Sequence, residues 1–105
     1  MSAAGSLNRE YVLAALREVI DPELGYNIVD LGLIYGLEVE GGVIRIDMTM
    51  TTRGCPAQDY IVSGVYERSR SLSGSAQVEI NLVWDPPWSA QKMAPVAKAH
   101  LRIQE

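Results

Sequence analysis

The chain has no phenylalanine, a single cysteine and a single histidine in 105 residues. Without phenylalanine, the core has to be built from Val, Ile, Leu, Met and Tyr. One cysteine cannot form an internal disulfide, which excludes the stapled secreted scaffolds. The nine basic residues are scattered and the net charge is −4. No basic patch exists to displace counterions, so nucleic acid is not an expected partner. No apolar run approaches the roughly 20 residues of a membrane span. The opening stretch MSAAGSLNRE lacks the basic and apolar regions of a signal peptide. These absences lead to the expectation of a cytoplasmic protein in a reducing setting, with no membrane partner.

What is present is an ordinary globular balance, 48% apolar and 21% charged, sufficient for one domain with a real core. Residues 1–6, MSAAGS, read as a disordered N-terminus and residues 7–105 as a single domain. A helix is expected from Asn8 to Ile20, with Asn8 as N-cap, a Leu7–Val12 staple and an end at Asp21-Pro22. NIVDLGLIYGLEVE then alternates as a strand, with Val29, Leu31, Leu33, Tyr35, Leu37 and Val39 on one face. In that strand, Gly32 and Gly36 mark a bulge or the close approach of another backbone. Gly41-Gly42 predicts a hairpin to a second strand carrying Ile44, Ile46, Met48 and Met50. A helix from Pro56 to about Leu72 presents Ile61, Val65 and Leu72. A third strand carries Val78, Ile80, Leu82 and Trp84, and a short helix spans 89–101. The order α-β-β-α-β-α predicts an α+β two-layer sandwich, helices on one face of a small mixed sheet. If the last two strands are parallel, their crossover should be right-handed.

Cys55 falls in TMTTRGCPAQDY, where the second strand gives way to the second helix. A helix start offers free amides and a partial positive charge, and both favour thiolate over thiol. Gly54 permits unusual backbone geometry, and Thr51 and Thr52 supply hydroxyls. The alternative is a cysteine buried as a small hydrophobe. Asp21 and Glu23 in DPELG are either helix-end punctuation or site acids. Asp30, an acid within a strand pattern, is either structurally paired or part of a site. Trp84 and Trp88 bracket DPP and read as a packed lid or interface, with ligand stacking as the other option. The lone His100 reads as surface or packing and forms no dyad with Cys55.

Taken together, DPELGYNIVDLGLIY, MTMTTRGCP and VWDPPWSAQKM resemble the small iron–sulfur assembly family that includes SufT-like and PaaD-like proteins. The resemblance runs from about Tyr11 to Met93. It implies a fold similar to the C-terminal domain of NifU-type scaffolds and matches Cys55 to the family's reactive, cluster-transferring and metal-binding cysteine. It also matches Asp21, Glu23 and Leu24 to the acidic loop, and Thr51 and Thr52 to the polar approach to the sulfur. Asp30 belongs to the same pattern, with Trp84, Asp85 and Trp88 as the partner surface. Arg53 departs from the family, which often has proline or a small residue there. The implied function is delivery of iron–sulfur clusters to client proteins, with iron or a cluster bound transiently and none needed for folding. A cluster needs about four protein ligands, so unless carboxylates contribute, a single chain with one cysteine is expected to share it across a homodimer or with assembly machinery and client apoproteins. The alternatives are a PaaD-like adaptor of an oxygenase system that binds no metal, and an enzyme with Cys55 as nucleophile. The latter lacks an evident base.

Overall fold

The computed structural model describes residues 7–51 and 57–101. Helix α1 (Arg9–Leu16) opens where expected, Asn8 accepting a hydrogen bond from the Tyr11 amide at 2.9 Å. It closes four residues before Ile20. Two short turns (Glu18 N–H to Ala15 carbonyl, Val19 N–H to Leu16 carbonyl) reverse the chain. The β-branched pair Val19-Ile20 then extends alongside Tyr26 to Ile28, which suits its stiff side chains better than a helical turn. The result is a two-stranded ladder, β1 (Ile20–Asp21) against β2 (Tyr26–Asn27). The Ile28 amide extends it to the Val19 carbonyl.

The alternating stretch from Val29 to Leu33 is a compact turn rather than the start of a strand. Its amides bond back over three to five residues: Leu31 to Asn27, Gly32 to Val29 and Leu33 to Ile28. Ile28, Leu31 and Leu33 are fully buried by this winding, so the apolar spacing served a turn as well as it would a strand. The true strand, β3 (Ile34–Glu40), pairs antiparallel with β4 (Val43–Met48). Gly41 and Gly42 both have positive φ, 57° and 85°, as the tight two-residue hairpin requires. The two glycines of the strand pattern behave as anticipated. A register shift falls between Ile34 and Gly36. At Gly32 (φ 81°) a side chain would run into the backbone of Lys92.

Helix α2 (Ala57–Arg70) carries the chain to β5 (Gln77–Leu82), which pairs parallel with β4 and completes the sheet β3-β4-β5. One face is apolar: Leu37, Ile44, Ile46 and Met48 lie in the core, with Val39, Val78, Ile80 and Leu82 half-buried beside them. The other face is polar, crossed by an Arg45–Glu79 ion pair at 3.1 Å and by Asn81 against Asp47. Helices α1 and α2 pack on each other and on the apolar face. Val12, Leu16, Ile61 and Val65 supply the interlocking side chains. Where Gly64 meets Val19 the fit is close enough that an added Cβ would lie 3.2 Å from the valine methyl.

The last segment is not one helix over 89–101. A single 3-10 turn (Ala90–Lys92) is followed by extended Met93, and α3 occupies only Pro95–Leu101. Pro95 cannot donate an amide to a helix running through it, and it serves instead as the first residue of α3. Met93 and Ala97 are buried in the same core. The protein is therefore an α+β domain with its helices on the apolar side of a mixed sheet, as its sequence implied.

Candidate functional site

Because β3 runs opposite to β4 and β5, the start of β3 and the ends of β4 and β5 share one end of the sheet; Ile34, Met48 and Leu82 lie in register across it. Thr51, the Val29–Leu33 turn and the Trp84–Trp88 segment all emerge there. Three of the expected site regions therefore converge on one end of the sheet by topology alone.

Asp21 sits at the head of the acidic loop and is only 2% exposed. Its Oδ1 accepts from the amides of Glu23 at 2.8 Å and Leu24 at 3.2 Å, while its carbonyl accepts from the Gly25 amide at 2.7 Å. A short carboxylate bonded to its own downstream backbone holds the turn shut. Glu23 is exposed on that turn and Leu24 half-buried against the core. Just upstream, Glu18 meets Arg68 of α2 at 2.6 Å and Val19 meets Gly64. The segment leading to Asp21 therefore runs along α2 toward its first turn.

Asp30 is paired, which resolves the cost of an acid in this apolar stretch. It accepts from the Asn27 side-chain amide at 2.9 Å, and its own amide donates to Asn27 Oδ1 at 2.9 Å. Arg17 lies 3.6 Å from its other oxygen. Neither Asn27 nor Arg17 stood out in the sequence. The signal was there for Asn27, since an Asn side chain readily bonds the backbone a few residues on and closes a turn. Arg17 carried no such mark.

The C-terminal segment is fastened across this turn. Trp88 donates its indole N–H to the Leu31 carbonyl at 2.7 Å, and the Ala94 amide donates to the Asp30 carbonyl at 2.7 Å. Trp84 and Trp88 are half-buried against the core, while Asp85, Pro86 and Pro87 are exposed. The Asp85–Pro86 peptide bond is cis. Tyr35 donates its hydroxyl to the Pro86 carbonyl at 2.7 Å, and Lys92 Nζ lies 5.4 Å from its ring centre. Together with Gly32 and Ile34 these residues line a groove of about 470 Å³. Desolvation, and then the Asp85 carboxylate, raise the Tyr35 hydroxyl above its ordinary pKa of 10.0. His100 stacks obliquely on Tyr26, with ring centres 4.9 Å apart, a packing role of the kind its sequence context suggested.

Thr51 is half-buried and follows the buried Thr49 and Met50; α2 opens at the buried Ala57. Cys55, with Thr52, Arg53 and Gly54, lies outside the described residues. Among the described residues no group of three or more His, Cys, Asp or Glu is placed to hold a metal ion, and no helix is long and apolar enough to cross a membrane.

A family model described as iron-sulfur cluster assembly protein matches residues 9–82. The chain belongs to that family. Its relatives include a protein of Bacillus subtilis named Fe-S protein maturation auxiliary factor YitW, 42% identical over 97 residues, covering 91% of this chain and 95% of the relative. Another is the Fe-S protein maturation auxiliary factor SufT of Staphylococcus aureus, 42% identical over 86 residues, covering 81% of this chain and 98% of its own. The crystal structure of a domain of unknown function from Bacillus anthracis superposes with a TM-score of 0.84 at 42% identity, covering 90% of this chain and 92% of that one. The match from α1 to β5 includes the acidic loop, the Asp30 turn and the cysteine segment.

Proposed function

We infer that the protein is an iron–sulfur maturation factor that assists delivery of clusters to client proteins. The observation that carries this reading is the family match over residues 9–82, backed by relatives aligned along nearly their whole length that are named maturation auxiliary factors. The role is binding and transfer without turnover, and the cluster is cargo. In this reading Cys55 is the residue that meets the cargo, as its only thiol. Thr51, Thr52 and Gly54 shape its approach, and the Asp21–Leu24 loop and Asp30 frame the same end of the sheet. Trp84, Asp85 and Trp88 present the partner surface, of which Asp85 and the two prolines face solvent. One thiol is too few for a cluster of about four ligands, so the remaining ligands come from a client, a carrier or a second copy.

The test is client maturation in a cell lacking its own factor of this family, read as the activity of an iron–sulfur enzyme. The wild-type chain should restore it, and Cys55→Ser should not, at equal expression. Restoration by Cys55→Ser equal to wild type would remove the cysteine from the mechanism and favour the second reading. That reading is an adaptor that docks client and machinery through the Trp84–Trp88 segment without touching metal; the single cysteine of the chain is what speaks for it.

A further inference from the structure

We propose that the free edge of β5 is a pairing surface for a second copy of this chain, joining two three-stranded sheets into one of six. The ladder to β4 uses the odd-numbered residues of β5: Gln77 donates to the Gly42 carbonyl at 3.2 Å and Val83 to the Met48 carbonyl at 2.8 Å. By the alternation of a strand, the N–H and C=O groups of Val78, Ile80 and Leu82 point away from β4. Among the described residues, the sheet order β3-β4-β5 leaves them without a strand on that side. An open row of this kind is a template for another chain. The opposite edge is treated differently. α1 packs beside β3, and Arg9 donates to the Leu37 carbonyl at 3.1 Å.

The side chains point to the same occupant. Ile44, Ile46 and Met48 are 0% exposed, yet their register partners Val78, Ile80 and Leu82 are only half-buried. Among the described residues, the apolar face reaches the edge only partly covered. An antiparallel copy centred on Ile80 sets Ile80 opposite the partner's Ile80 and Val78 opposite the partner's Leu82, so the apolar row continues across the joint. On the polar face it sets Glu79 opposite the partner's Asn81, and no like charges meet. Sliding the pair so that Glu79 faces the partner's Glu79 would oppose two carboxylates, which cross-strand pairing disfavours. The centred register makes about six backbone hydrogen bonds, two from each outward-facing residue pair. So short a ladder belongs with the weak interfaces, and the association is concentration-dependent. This inference does not depend on the maturation reading.

Sedimentation equilibrium from low to several hundred micromolar, with hydrogen exchange across the same range, tests it. Wild type should dimerise, and the amides of Val78, Ile80 and Leu82 should gain protection as the dimer forms. Those of Glu79 and Asn81, bonded to β4, should be protected throughout. Asn81→Glu faces each Glu79 with a carboxylate and should weaken the dimer by roughly 3- to 30-fold; Asn81→Lys should tighten it by a similar factor. Asn81 is exposed, and far-UV circular dichroism checks that each variant folds. A wild type that stays monomeric at every concentration overturns the proposal, as does a dimer indifferent to both charges. Protection of the edge amides that appears only with an added client protein also overturns it and assigns the edge to a client strand.

Discussion

Asp21 separates what a carboxylate does for the fold from what its charge does for function. Asp21→Ala removes the oxygen that holds the amides of Glu23 and Leu24. Those amides lie in a partly buried turn, so water replaces the lost acceptor incompletely. Losing a capping side chain of this kind costs about 1 to 2 kcal/mol. In a domain of this size that lowers the melting temperature by about 5 to 15 °C. Asp21→Asn keeps an oxygen where Oδ1 stands and should cost about 0.5 kcal/mol or less. Urea and thermal unfolding followed by circular dichroism measure both. The same pair then enters the client-maturation assay. If the acid acts only through the turn, Asp21→Asn will support maturation as well as wild type; if its charge handles cargo, that variant will fail while remaining stable. Equal destabilisation by the Ala and Asn substitutions would refute the assignment of the turn to these two hydrogen bonds.

Further predictions concern the C-terminal segment, the strap that Trp88 and Ala94 fasten over the Asp30 turn, and Tyr35, which is bonded to it. Gly32→Ala places a Cβ against the Lys92 backbone at a φ of 81°, and should cost at least about 2 kcal/mol. Gly25→Ala, at φ 69° with open space around it, should cost about 1 kcal/mol from the backbone alone. Urea unfolding of the two isolates the contact; equal losses would show that the 3-10 turn yields freely. Tyr35 should titrate above 10.0 in the folded protein, desolvation being the larger cause and Asp85 the second. A raised folded pKa means that the folded state holds the proton more tightly. Its stabilising contribution is therefore complete below about pH 10 and is lost as pH rises through the folded value. Tyrosine ring NMR across the alkaline range measures this, with Tyr35→Phe removing the transition; titration at or below 10.0 would contradict the environment described for it.

The sequence was legible wherever one local rule acted alone. The Asn8 cap, the Gly41-Gly42 hairpin, the period-two core of β4 and the Gly32 approach each needed only neighbouring residues or a single backbone demand. It was illegible where two periodicities overlap. Val29, Leu31 and Leu33 alternate as a strand would, but Asn27 and Asp30 close a turn across them, and the side-chain amide outweighs the alternation. Val19 and Ile20 continue a helical stripe, yet they extend because β2 offers their backbone a partner. Such pairings, made beyond helical spacing, leave no mark in the periodicity. The first of the three motifs carried the family for a related reason: its DPELG loop and its Gly32 turn sit at joints where backbone geometry admits few residue types.

These turns bear on how the site residues are to be understood. Asp21 and Asp30 each spend at least one carboxylate oxygen on neighbouring amides, and Trp88 spends its only side-chain donor on the Leu31 carbonyl. The Ala94 amide then ties the end of the strap to the turn that holds Asp30. A substitution at Asp30 or Trp88 loosens the end of the sheet at which Thr51 emerges before the cysteine segment, and one at Asp21 loosens its own turn. Loss of function there follows from lost geometry unless stability is shown to be intact. Conservative replacements that keep the hydrogen bond and remove the charge are therefore the informative ones: Asn for Asp21, and Asn for Asp30, whose accepting oxygen and Asn27 contact can both be retained. At Asp30 that exchange also releases Arg17 from its 3.6 Å ion pair, a half-exposed contact worth well under 1 kcal/mol. A large functional loss in stable Asp30→Asn would therefore have to come from the missing charge itself.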